Sequence, residues 1–265
     1  MTIRYAALDL DGTLIDGADQ PYEGVIAGLE SLREQGVLPL LVTGRSACSF
    51  RTLRHLDDLF DLFDDQVLLS EGNVRLARDA DALTFLQTSP HEVLRRLTAA
   101  PGIDLVAEWS GELHATTARA AMQFAMAYRV PRRQIAVTTS VAEINARPTA
   151  VTVFGSCTPV RELVMGLDCE VIQIRPFDAQ VVRPCGTGKA AALVRHMLWR
   201  FGEPDLSRTL AVGDGAGDAG MLSACAMSAA THGADPAAAA AAAERLQGDL
   251  ASFLRDFHPE GKVRP

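Results

Sequence analysis

Short apolar runs that end abruptly at an acid or a threonine set the pattern of this 265-residue chain. Tyr5-Ala6-Ala7-Leu8-Asp9-Leu10 is apolar apart from Asp9 and stops at Asp11-Gly12, the profile of a buried strand ending in a loop. Residues 22–35 then place Val25, Ile26, Leu29 and Leu32 at helical spacing and close at Gly36. Val37 to Val42 reads as a second buried strand, followed by a polar loop at Thr43. A helix over about 46–57 and a strand at 66–70 continue the alternation, and Thr209 to Asp214 repeats the strand-then-acid pattern. Strands alternating with helices imply a parallel sheet whose loops at the strand C-termini form the site.

Between about 80 and 183 the texture changes. Residues 83–88, 103–109, 112–116, 149–155, 169–175 and 179–183 read as strands, several of them alternating. Helical stretches at about 90–99, 117–128 and 158–166 lie between them. This α+β pattern suits an inserted domain with an antiparallel sheet. The expected organisation is therefore an α/β core built from 1–80 and 184–265, with a second domain over 81–183. The alanine run 237–243 reads as part of a C-terminal helix, and the last residues, from His258, as a frayed end.

Composition narrows the classes of partner. Hydrophobic residues make up 48% of the chain, enough for a sizeable core, and aromatics only 6%, so that core is aliphatic. The net charge of −8 argues against nucleic acid or an anionic membrane as partner. It leaves room for an anionic substrate, because a metal ion and a few cations can reverse the field inside one cleft. No apolar run approaches the roughly 20 residues of a membrane span, and the N-terminus lacks a signal-peptide pattern. The five cysteines are scattered, never in CxxC spacing, which leads us to expect a reducing cytoplasm with no disulfide or zinc framework. Only Lys189 and Lys262 of the 25 basic residues are lysines, so an internal one draws notice.

Four motifs carry the chemistry: Asp9-Leu10-Asp11-Gly12-Thr13, Thr43-Gly44-Arg45, Lys189 after Gly186-Thr187-Gly188, and Gly213-Asp214-Gly215-Ala216-Gly217-Asp218. A carboxylate can attack phosphorus, and a neighbouring acid can protonate the leaving oxygen and later activate water. If the chain turns at Asp11, both acids of the first motif can approach one site; a plain strand turn with solvated acids is the other reading. Thr43 is placed to hydrogen-bond a phosphoryl oxygen, with Gly44 allowing close backbone approach. Alternatively, the pair is a loop before a helix cap. Lys189 can neutralise nucleophile and phosphate together, or be a solvated first-turn lysine. Asp214 and Asp218, four apart with small residues between, can place oxygens around a hard cation such as Mg²⁺.

Two decoys fail. A P-loop would need a glycine at Arg183 and a hydroxyl at Ala190. Gly215 to Gly220 fits G-x-G-x-x-G, but Asp214 and Asp218 would set negative charge beside a pyrophosphate.

Taken in order, DxDGT, strand-Thr, Lys and GDxxxD resemble the haloacid dehalogenase superfamily, and with both acids of DxD present, its phosphatase branch. The insertion of about a hundred residues between Thr43 and Lys189 is similar to the large α/β cap of the Cof-like (type IIB) subgroup. The resemblance implies a Rossmann-like core with a specificity cap. It also implies Asp9 as nucleophile and metal ligand, Asp11 as acid/base with its backbone carbonyl on the metal, and Thr43, Gly44 and Lys189 on the phosphoryl group. Asp214 and Asp218 would complete an Mg²⁺ site. The implied activity is hydrolysis of a small phosphorylated metabolite, a sugar phosphate or phosphorylated glycoside, through an aspartyl-phosphate, by a monomer or homodimer. A phosphomutase, or a binding protein that keeps the fold, is the alternative.

Specificity would lie in the cap, where Glu108, Trp109, His114, Arg147, Arg175 and Arg183 are the polar candidates; an arginine there could clamp a second anionic group. Two departures from the subgroup's pattern stand out. Gly217-Asp218 replaces the usual Asn-Asp, and Glu71-Gly72-Asn73 stands where many relatives have Asn-Gly-Ala.

Overall fold

A computed structural model describes residues 2–138, 146–155, 159–174 and 178–260. Contacts divide the chain into two units. One comprises Met1–Gly44, Leu53–Ala82 and Gly188–Pro265, the other Arg45–Thr52 and Leu83–Thr187. Residues 45–52 thus fall with the second unit, within a stretch the sequence reading gives to the core.

The first unit is built on a parallel sheet of order β14-β13-β12-β1-β2. Its strands are β1 (Tyr5–Leu8), β2 (Leu38–Leu41), β12 (Thr209–Gly213), β13 (Met227–Ala230) and β14 (Glu244–Arg245). Leu8 lies in register with both Val212 and Leu41, so the central strands finish level and the chain leaves all of them at one edge. A bridge from Val42 to Leu68 brings β3 (Gln66–Leu69) beside β2, and β3 runs antiparallel to β4 (Val74–Ala77).

Around the sheet, α1 (Val25–Glu34) buries Val25, Leu29 and Leu32, an i, i+4, i+7 stripe. It packs on α10 (Leu250–Asp256), whose start is fixed by the Asp249 carboxylate accepting from Ser252 N–H at 2.7 Å. The longest helix, α7 (Lys189–Phe201), buries Lys189, Ala192, Leu193, His196 and Met197, and ends at Gly202. Three short helices, α3 (Asp57–Phe60), α8 (Ala219–Ala224) and α9 (Pro236–Ala241), complete the unit.

In the second unit a six-stranded sheet has the order β10-β11-β9-β6-β7-β8. The strands are β6 (Asp104–Trp109), β7 (Glu112–Ala115), β8 (Ile135–Val137), β9 (Ala150–Phe154), β10 (Cys169–Ile174) and β11 (Ala179–Pro184); all pairings are antiparallel except β7 with β8. Alternation along β6 serves two cores. Leu105, Ala107 and Trp109 pack with Val93, Leu94 and Leu97 of α4 (His91–Ala99). Val106 joins Ala120, Ala121 and Phe124 of α5 (Ala118–Tyr128). The short α2 (Ala47–Phe50), capped by Ser46, and α6 (Val160–Leu163) also belong here, and β5 (Ala82–Phe85) runs through the boundary between the units. A parallel α/β sheet with a separate antiparallel unit is the architecture the periodicity implies.

Several elements differ from expectation. The single helix expected over 46–57 is three pieces, because Thr52 Oγ1 donates to the Ser49 carbonyl and Leu53 leaves helical geometry (φ −92°, ψ 20°). The helix over 158–166 shrinks to α6, with Val164 already irregular; its residue 158 lies outside the described residues. The alanine run gives only α9, ending as Ala242 turns extended before β14. β13 was not expected: Met227-Ser228-Ala229-Ala230 has no β-branched residue, and its strand conformation comes from pairing with β12.

One turn deserves a stability test because it places the site. After β3, Ser70, Glu71 and Gly72 all take left-handed φ (51°, 57° and 85°). A Cβ on Gly72 would also collide with Ala192 Cβ on α7. Gly72→Ala is expected to cost roughly 2–4 kcal/mol from backbone strain and overpacking. Urea unfolding at an unchanged m-value measures this, and a midpoint equal to wild type would refute the packing described.

Candidate active site

The level strand ends put the acids in place. Asp9 follows β1 directly, its N–H donating to the Val212 carbonyl at 3.0 Å, and is 5% exposed. Lys189, the first residue of α7, is equally buried and reaches two acids. Its Nζ donates to Asp9 Oδ1 and, at 2.6 Å, to Asp218 Oδ1. The other oxygen of Asp218 accepts the N–H groups of Asp214 and Gly215 at 3.0 and 2.8 Å. Asp218 therefore ties the loop after β12 into shape while it pairs with the lysine. Asp214 is held in turn by Thr13, whose hydroxyl donates to its Oδ1 at 2.9 Å.

Burial of these charges dominates their ionisation. Burial pushes the Asp9 carboxyl well above the usual range, and Asp218 and Asp214 add to the effect against the pull of Lys189. Asp214 is also raised, by burial first and then by Asp218, with Thr13 opposing. For Lys189 burial disfavours the ammonium, yet Asp9, Asp218 and Glu71 together outweigh it and hold the pKa well above that of a free lysine.

Asp9, Asp214 and Asp218 each offer an oxygen within 4.8 Å of the others. Three crowded carboxylates, two of them resisting ionisation, fit a divalent cation that would relieve their repulsion. Gly12 makes room beside them: a Cβ there would run into the Asp214 carboxylate. Since both oxygens of Asp218 already serve Lys189 and the loop, Asp9 and Asp214 have the freer donors. Asp11, half-buried, is not one of the three clustered acids; it stands where the chain turns back, pairing with Ile15.

Thr43 is buried and anchored by its N–H to the Leu68 carbonyl at 2.8 Å, and its own carbonyl accepts the Glu71 N–H at 3.3 Å. Glu71 enters the site through this link. Its carboxylate occupies the space beside Gly44 and Gly217. The sequence reading marks Glu71 only as a departure from pattern; the neighbouring loss of a side chain at 217 is the signal that could have placed it. Thr13, the last residue of the first motif, has its partner in Asp214.

The described second-unit candidates have these surroundings. Arg147 is exposed, and Arg183 donates from Nε to Glu170 at 2.7 Å across β10 and β11. Arg175 lies outside the described residues. His114 stacks on Trp109 with ring centroids 3.7 Å apart, while Glu108 is buried in the sheet.

Comparison with known proteins bears on the fold. Residues 6–62 match the haloacid dehalogenase-like hydrolase family. By sequence alone, no curated protein matches the chain. A sugar phosphatase of haloacid dehalogenase subclass IIB superposes with a TM-score of 0.78 at 18% identity, over 95% of this chain and 98% of its own. A haloalkanoate-superfamily phosphatase from Bacteroides thetaiotaomicron gives 0.74 at 19% identity, covering 96% and 94%. A Thermotoga maritima protein gives 0.78 at 16%, covering 96% and 97%. At these identities the likeness establishes the fold.

Two substitutions test the electrostatics. The raised pKa of Asp214 means that its ionised form costs folded stability above the unfolded carboxylate value of about 3.9. Asp214→Asn is expected to raise the metal-free Tm at pH 7 by roughly 2–4 °C, for about 1 kcal/mol. The gain should vanish below pH 3.9 or so, where both states are protonated. The same variant should lose the Tm increment that Mg²⁺ gives the wild type, as calorimetry with and without the ion would register. Lys189→Met strands two buried acids and should destabilise by about 3–5 kcal/mol in denaturant titration.

Proposed function

On the premise of a haloacid dehalogenase fold and that family's signature over residues 6–62, we propose that this protein is a phosphatase that hydrolyses a small phosphate monoester through an aspartyl-phosphate on Asp9. The observation that carries the reading is the buried Asp9–Lys189–Asp218 array at the C-terminal edge of a parallel sheet, with Asp214 clustered against it.

In the proposed reaction the Asp9 carboxylate attacks phosphorus, forming an O–P bond as the ester P–O bond breaks. Asp11 gives its proton to the leaving oxygen, releasing an alcohol. Water then attacks the same phosphorus while Asp11 takes its proton, and the Asp9–phosphorus bond breaks to free phosphate. Lys189 steadies Asp9 and balances the phosphoryl charge, and Thr43 with Gly44 offers hydrogen bonds to the phosphoryl oxygens. Mg²⁺, held by Asp9, Asp214 and the Asp11 backbone carbonyl with Asp218 supporting, would supply Lewis-acid stabilisation of that charge.

For the substrate we propose a sugar phosphate or phosphorylated glycoside, a reading supported by the sugar phosphatase among the similar folds. Arg147, exposed on the second unit, and Arg183, engaged with Glu170, are the described arginines proposed to meet a further anionic group. Among the described residues no helix is long and apolar enough to cross a membrane.

A panel of phosphate esters that includes p-nitrophenyl phosphate tests the proposal. Phosphate release is expected from the wild type with Mg²⁺, to stop with a chelator, and to return when the ion is restored. Asp9→Asn should fold and lose at least about 10³-fold in kcat. Full activity in that variant would end the proposal.

A further inference from the structure

The two departures at positions 71 and 217 are one feature in three dimensions. Glu71 Oε1 takes the place where a Cβ on Gly44 would stand, and its Oε2 lies 3.2 Å from where one on Gly217 would be. A side chain at 217 would press on this carboxylate, which would have to give by a few tenths of an ångström at the Cβ alone. The turn that delivers Glu71 is costly: Ser70 and Glu71 are both left-handed, at φ 51° and 57°, and neither is glycine. It is held by Glu71 N–H on the Thr43 carbonyl, by Asn73 N–H on Ser70 O at 3.1 Å, and by the packing of Gly72 on α7. Strain retained beside a functional cluster points to use.

The direction of that use follows from charge. Lys189 already has two buried anionic partners in Asp9 and Asp218, and Glu71 is a third acid whose field it feels. Gly44, proposed with Thr43 to receive the phosphoryl group, adjoins the same carboxylate, and Thr43 accepts the Glu71 N–H. A negative charge there opposes a phosphate dianion by Coulomb repulsion in a poorly screened pocket.

We propose that Glu71 is a positioning residue that, acting through Lys189 and the Thr43-Gly44 loop, weakens the hold on free phosphate and so speeds its release, with Gly217 as the space that admits it. This rests on the phosphatase reading above. Glu71→Gln keeps the shape and removes the charge. Inorganic phosphate and orthovanadate should inhibit it competitively with inhibition constants roughly tenfold lower than wild type. Its kcat should fall together with KM, leaving kcat/KM within a fewfold, a split that mere loss of packing would not produce. Glu71→Asp retains the charge and should stay near wild type.

Gly217→Ala crowds the carboxylate, which must give by a few tenths of an ångström, and should tighten phosphate in the same direction but by less, adding nothing further when combined with Glu71→Gln. It also serves as an independent variant should Glu71→Gln fold poorly, a point settled by its Tm. Unchanged or weaker phosphate inhibition in both Glu71→Gln and Gly217→Ala, with an active wild type, overturns the role of Glu71 alone. A wild type that neither turns over esters nor binds phosphate in calorimetry overturns the phosphatase reading and this role with it.

Discussion

A single ammonium group, Lys189 Nζ, holds the site together. It is buried with Asp9 at the end of β1 and with Asp218 after β12, so one side chain joins three segments far apart in sequence. Removing three charges from water is expensive and is tolerated only where each finds close, well-oriented partners. That demand fixes the start of α7 against the strand ends and forces the loop after β12 to curl so that Asp218 also accepts two backbone N–H groups. Burial first, and then the neighbouring acids, leave Asp9 and Asp214 resisting ionisation. A site in this condition favours a divalent cation.

The sheet makes such crowding possible. Parallel strands in register finish at one edge, and successive loops there meet without any long detour of the chain. Asp9, Thr43 and Asp214 are each the first residue or so after a strand, and Glu71 follows β3 within two. Among the described residues, the loop after β3 is the one with consecutive left-handed residues that are not glycine, and it is also the loop that adds a charge to the site.

Much of this was legible in the sequence, for identifiable reasons. Apolar runs ending at Asp11, Thr43 and Asp214 report buried strands, since a central parallel strand admits little polar surface, although β1 itself stops earlier, at Leu8. Lys189 stood out because lysine is scarce in the chain. Pairing between distant segments was not legible. Asp218 looked like a metal ligand by spacing, while its hydrogen bonds show it also serving Lys189 and the loop. Glu71 and Gly217 looked like two separate departures, because only the folded chain shows that one fills the room left by the other. Helix ends failed where side chains compete for backbone bonds, as Thr52 does, and β13 failed because pairing, not propensity, makes it a strand.

The central claim is that Asp9 carries the phosphoryl group during turnover. The direct measurement is rapid acid quench of the Mg²⁺-loaded wild type reacting with radiolabelled acetyl phosphate, followed by peptide mapping. The account requires a transient label on the peptide containing Asp9, labile to hydroxylamine as an acyl phosphate is and absent in Asp9→Asn. Steady release of labelled phosphate with no label on the protein at any quench time, or with label on another residue, would contradict it.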